Sequence, residues 1–113
     1  MSNNNDLQNH VNSIASNLSN PPYDEWNEGR DIDSEGEYSA FDYLAGALDI
    51  EYIVASDRKT FLGARVLVAF GGPNIWINTR TNTVEGHWWG DNASATFTDS
   101  IGLQEALNEL YNC

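Results

Sequence analysis

Basic residues are scarce in this chain: five Lys and Arg stand against seventeen Asp and Glu in 113 residues, a formal net charge of −12 at pH 7. A protein that grips nucleic acid needs a cationic footprint to displace counterions from the phosphates, so direct binding to DNA or RNA is not expected. Anionic lipid surfaces are disfavoured on the same grounds. Cysteine is nearly missing too, with Cys113 alone at the last position. It has no partner for an internal disulfide, and His10 and His87 lie too far from it in sequence to suggest a zinc ligand set. Apolar runs are short, and none approaches the ~20 residues of a membrane span. The opening Met1-Ser2-Asn3-Asn4-Asn5-Asp6 lacks the positive residues and apolar stretch of a secretory leader. The expectation is a cytoplasmic protein with no membrane partner.

Aromatic residues, by contrast, are plentiful. Four Trp, five Tyr and four Phe, within a 41% hydrophobic composition, are more than a disordered chain carries. A chain this long has room for one small core, so a single domain over 1–113 is expected. Leu7, Val11, Ile14, Ala15 and Leu18 fall on one helical stripe, predicting a helix over about 7–18 within an Asn-rich stretch, 1–22. Asn and Ser are weak helix formers, so this helix depends on packing. Asn20-Pro21-Pro22 ends it. Phe41, Leu44, Ala45 and Leu48 make a second stripe, and Ser39 with Asp42 resembles a capping box, predicting a helix over about 40–48. From Ile50 the period becomes strand-like, with turns at Asp57-Arg58-Lys59, Gly71-Gly72-Pro73-Asn74 and Arg80-Thr81-Asn82. The apolar run Ala64–Phe70 reads as a central strand, Thr83–Gly90 as a fourth strand, and Ala95–Thr98 as a short fifth. Leu103, Ala106, Leu107, Leu110 and Tyr111 keep helical spacing behind Asp99 or Ser100 as cap, predicting a helix over about 101–112. The fold class is therefore α+β: an antiparallel four- to five-strand meander over about 50–98, covered by two or three helices.

Most of the charge sits in one stretch. Residues 23–51 hold ten acids, Asp24, Glu25, Glu28, Asp31, Asp33, Glu35, Glu37, Asp42, Asp49 and Glu51, opposed only by Arg30. That is −9 of the −12. Residues 23–38 read as an acidic loop segment, and Tyr23–Arg30 is too polar for an amphipathic helix. Within it, Asp31-Ile32-Asp33-Ser34-Glu35-Gly36-Glu37-Tyr38-Ser39-Ala40-Phe41-Asp42 resembles an EF-hand calcium loop. Acids stand at positions one, three and five, Gly36 at the sharp turn, and an acid at twelve. This alternative makes Asp31, Asp33, Glu35, Glu37 and Asp42 ligands for calcium or magnesium. The loop departs from the pattern with Glu at position five, Asp at twelve and Tyr38 at eight, and no second loop accompanies it. The competing reading is an acidic approach to a helix N-terminus, with Ser39 and Asp42 as its cap and no cofactor.

His87-Trp88-Trp89-Gly90-Asp91 combines a titratable ring, two indoles and a carboxylate. As a strand it would place Trp88 and Trp89 on opposite faces, with His87 sharing a face with Trp89 and Glu85. No nucleophile or paired acid and base accompanies it at a recognisable spacing, so no catalytic residue is assigned and an enzyme is not expected. Gly71-Gly72-Pro73 lacks the Gly-Lys-Ser/Thr ending of a phosphate loop and precedes a strand rather than a helix.

Ala69-Phe70-Gly71-Gly72-Pro73-Asn74-Ile75-Trp76-Ile77-Asn78-Thr79, followed by Val84-Glu85-Gly86-His87-Trp88-Trp89-Gly90-Asp91, resembles a group of short acidic proteins encoded by phages and other mobile elements, over about residues 50–113. The resemblance implies an anti-defence inhibitor, anti-CRISPR or antirestriction, that binds a host nuclease complex without catalysis, several such proteins mimicking nucleic acid. It assigns no residue a role. The residues add a charge argument. B-DNA carries one phosphate per ~1.7 Å of axis, and a compact acidic face approaches that density. The expected partner is a basic surface on a nucleic-acid-handling protein complex. Asp24, Glu25, Glu28, Asp31, Asp33, Glu35 and Glu37 would supply charge, and Trp26 or Trp89 an aromatic anchor. The alternatives are the cation-binding module and a small structural or regulatory subunit whose acidity serves solubility.

Overall fold

The computed structural model describes residues 3–30 and 38–113. In chain order they form α1 (Asn3–Ser19), α2 (Tyr23–Glu28), α3 (Ala40–Ala45), β1 (Asp49–Val54), β2 (Phe61–Ala69), β3 (Asn74–Asn78), β4 (Thr83–Trp88), β5 (Asp91–Thr96) and α4 (Leu103–Tyr111). The strands pair antiparallel in sequence order, β1-β2-β3-β4-β5. The fold is α+β, an open five-strand meander with helices.

Alternation decides which face is buried. The register places Ile50, Val66, Ile77, Val84 and Ala95 in one row across the sheet, with Ile75, Gly86 and Ala93 in the next. These side chains join one core cluster with Leu7, Val11, Ala15 and Leu18 of α1 and Leu103, Ala106 and Leu107 of α4. α1 lies across β4 and β5, α4 across β2, and α3 packs on α4. The helical stripes of α1 and α4 thus supply the cover that the alternating strands require. Gly86 sets how close α1 comes. A Cβ there would stand 2.8 Å from both Leu7 Cδ1 and Val11 Cγ2, so the helix rests directly on the β4 backbone.

Local chemistry fixes the joints. Ser39 and Asp42 form the capping box expected for α3. The Asp99 carboxylate accepts the N–H groups of Gly102, Leu103 and Gln104, at 2.8 to 3.0 Å, and so caps α4. Four expectations need correction. Tyr23–Glu28 is helix, not loop: it starts behind Pro22 and carries Asp24 and Glu25 in its first turn, where they favour the helix dipole. α3 stops at Gly46, so its inward residues are Ala40 and Leu44, while Phe41 and Leu48 stay 45% and 60% exposed. β2 is an inner strand, but β3 is the middle one. β4 ends at Trp88, and β5 begins at Asp91 rather than Ala95, because Trp89-Gly90 forms a two-residue turn closed by the Trp88–Asp91 pair.

The contact at Gly86 is testable by adding one methyl. Gly86→Ala should lower stability by about 1–3 kcal/mol through overpacking, whereas Gly72→Ala, with open space around it, should change it by less than about 0.5 kcal/mol. Chemical denaturation of both variants reads the difference. Equal stabilities would refute the close packing of α1 on β4.

Candidate functional site

The acidic stretch begins on α2, which is held by aromatic packing. Trp26 lies 4.8 Å from Tyr38, 5.6 Å from Tyr43 and 6.1 Å from Tyr23, ring centre to ring centre. It is half-buried, so of the two indoles read as anchors it serves the fold. Its neighbours Asp24, Glu25 and Glu28 are exposed. Asn27 Oδ1 accepts from the Tyr38 backbone N–H at 2.9 Å and from Arg30 Nη1 at 3.2 Å, tying together the two sides of the segment between them. Asp31, Asp33, Glu35 and Glu37 lie outside the described residues. Asp42, which would close a calcium loop, is engaged elsewhere. Its Oδ2 accepts from the Ser39 N–H at 2.8 Å and from Ser39 Oγ at 3.2 Å, and Arg30 Nη2 lies 3.6 Å away. The hydrogen bond from the Ser39 backbone, more than the nearby guanidinium, holds its carboxyl below the usual carboxylate range. Among the described residues, no group of three or more His, Cys, Asp or Glu side chains is placed to hold a metal ion, and no helix is long and apolar enough to cross a membrane.

A second surface forms at one end of the sheet. In an antiparallel meander the β2–β3 and β4–β5 turns share an end, together with the entry to β1. There Gly71, Gly72, Pro73 and Asn74 meet His87, Trp88 and Trp89 around a cleft of about 240 Å³. The Gly71–Asn74 turn and the His87–Trp89 corner therefore converge. Asn74 Oδ1 accepts from the Gly71 N–H at 2.9 Å and shapes the first turn. His87 Nδ1 lies 2.6 Å from Asn92 Oδ1, within hydrogen-bond distance. Phe70 and Trp89 are 73% and 83% exposed, and with Leu48 they give this end three large apolar side chains open to solvent.

Trp89 departs from the strand reading. His87 and Glu85 do share the open face, and Trp88 packs against the core. Trp89, at φ 53°, is the first turn residue and belongs to neither face. Phe70 was not singled out by sequence; an aromatic side chain placed directly before a Gly-Gly-Pro turn is the signal that marks it. The sheet face opposite the helices carries Leu67 and Trp76 together with a charged pair. Arg65 lies 3.3 Å from Glu51 and stacks 4.3 Å above the Trp76 ring.

The end of α1 and the exposed indole lie at opposite ends of β5. Ser19 Oγ accepts from the Thr98 N–H at 2.9 Å and Ser19 O from Ser100 Oγ at 2.8 Å, just past the last residue of β5. Trp89 precedes the first. The six residues of β5 separate the two by about 20 Å.

Tyr43 supplies a pH signature of the α2–α3 corner. Burial, reinforced by Tyr38, pushes its phenol up to about 12 from the ordinary 10.0. The folded chain holds this proton more tightly than the unfolded chain, so the contribution is complete below pH 10 and is lost as pH rises towards 12. A shift of this size corresponds to roughly 3 kcal/mol. Denaturation midpoints between pH 9 and 12 should therefore fall more steeply for the native chain than for Tyr43→Phe. Superimposable pH profiles would mean that the ring is not buried.

Comparison with protein families, curated proteins and solved structures finds no match to this chain.

Proposed function

We propose that this chain is a small acidic non-enzymatic inhibitor that binds the basic nucleic-acid-binding surface of a host defence nuclease complex, of the anti-CRISPR or antirestriction kind. One observation carries the reading: nine of the twelve net negative charges fall within residues 23–51. Crowded like charges oppose compaction, and against this the exposed acids of α2 return only the helix-dipole contribution of Asp24 and Glu25, about 0.3–1 kcal/mol each. Acidity retained only for solubility would need no such clustering. A dense anionic segment resembles a nucleic-acid backbone to a Lys/Arg-lined groove, and its field extends about one Debye length, ~8–10 Å at physiological salt. Its main effect is then on encounter: complementary potentials raise the association rate more than they slow dissociation.

The segment is tested by moving the same charge change elsewhere. Asp24→Asn/Glu25→Gln/Glu28→Gln and Asp6→Asn/Glu105→Gln/Glu109→Gln each change the formal charge from −12 to −9. All six side chains are exposed. Asp57 and Asp99 are unsuitable as controls, because Asp57 binds the N–H groups of Lys59 and Thr60 and Asp99 caps α4. With a nuclease complex identified by pull-down and then purified, the α2 set should slow association by roughly tenfold and flatten its salt dependence. The distal set should do much less. Equal losses, or none, would remove the acidic segment from the encounter.

A further inference from the structure

Trp89 occupies a position that turn chemistry gives to other residues. Positive φ at Trp89 (53°) and Gly90 (85°) marks a type I′ turn, for which Asn-Gly is the favoured pair, and a bulky side chain in the left-handed region is a backbone outlier. The indole recovers little of that cost by packing, being 83% exposed. Such strain is held at sites selected for something other than folding.

The surroundings of the indole are one-sided in charge. Of the five Lys and Arg, Arg58, Lys59 and Arg80 lie in the β1–β2 and β3–β4 connections at the opposite end of the sheet. Arg65 is held by Glu51 and Trp76 in mid-sheet, and Arg30 lies beside Asp42. The end that carries Leu48, Phe70 and Trp89 also carries Asp49 and Asp91, which open β1 and β5. Three exposed apolar side chains at an end with two carboxylates, with Arg58, Lys59 and Arg80 at the opposite end, are complementary to an apolar pocket rimmed by Lys or Arg.

We propose that this turn end is the contact surface, with Trp89 as the anchor that a pocket of that chemistry on a protein partner receives, and with Phe70 beside it. The assignment rests on the reading of the chain as a binder of a basic partner, and it divides that work in two. The acidic segment acts on encounter. Trp89 acts after it, by burying a large rigid ring, and so governs how long the complex lasts. The strained turn is what keeps the ring off the protein's own surface.

The test pairs Trp89→Asn, which installs the favoured Asn-Gly turn, with Phe70→Ser. The probes are a purified restriction endonuclease and a purified guide-RNA nuclease complex, each immobilised, with lysozyme as a generic basic protein. Trp89→Asn should raise the melting temperature of the free chain by about 4 °C and speed dissociation from the nuclease probe at least tenfold, with the association rate nearly unchanged. Phe70→Ser should speed dissociation severalfold, and weak coulombic binding to lysozyme should be the same for all chains. A lower melting temperature for Trp89→Asn would make the indole a structural residue and overturn the proposal. Unchanged dissociation of both variants, alongside slowed association of the α2 set, would overturn the anchor and leave the binder reading standing. Failure of the native chain to bind either nuclease would remove both. Concentration-dependent dimerisation abolished by Trp89→Asn would identify the occupant as a second copy of the chain and contradict a basic partner.

Discussion

The packing of α1 directly onto the backbone of β4 is the constraint from which the remaining structure follows. Gly86 has no side chain, and Leu7 and Val11 occupy the space a Cβ would need. That contact places the whole apolar stripe of a weakly helix-forming, Asn-rich segment against the sheet, and the burial stabilises a helix that propensity alone would not. With α1 over β4 and β5 and α4 over β2, the core-facing residues of the strands are covered from one side. The other side carries Leu67, buried outside that core, and Trp76, whose ring is covered by the Arg65 guanidinium that pairs with Glu51.

One-sided cover also separates two surfaces. α1 delivers the chain past the C-terminal end of β5, where Ser19 binds Thr98 and Ser100, and α2 and its acids follow from there. The turns carrying Phe70 and Trp89 project from the other end. The charge of α2 and the exposed apolar side chains of the turns therefore come from different elements of the protein. In the proposed function this division has a kinetic meaning, because screened coulombic attraction acts during approach and a buried ring acts once the surfaces touch.

Much of the fold was legible because it is written in local periodicity and capping. The stripes of α1 and α4, the Ser39–Asp42 box, the Asp99 cap and the meander all follow from side chains near one another in sequence. Tertiary packing erased the rest. α2 has no apolar stripe of its own and is held by Trp26 among Tyr23, Tyr38 and Tyr43, a contact that joins residues up to 17 positions apart. The second stripe was mistaken because Gly46 ends α3 before Leu48 can join it. Of the candidate site, Trp89 was visible as an indole without a fixed place. Strand alternation gave it a face, but the following Gly90 turned it into the hairpin. Phe70 stood unremarked because it closes an apolar run that reads as strand, whereas β2 ends at Ala69 and leaves it exposed before the Gly-Gly-Pro turn.

Hydrogen exchange on the complex with a purified nuclease partner tests the separation of encounter from anchoring most directly, since it reports where the chain is covered without altering a residue. The account predicts new amide protection at 70–74 and 87–92, with 23–28 exchanging as in the free chain or only slightly slower. Protection concentrated at 23–28, with the two turns unchanged, would contradict it.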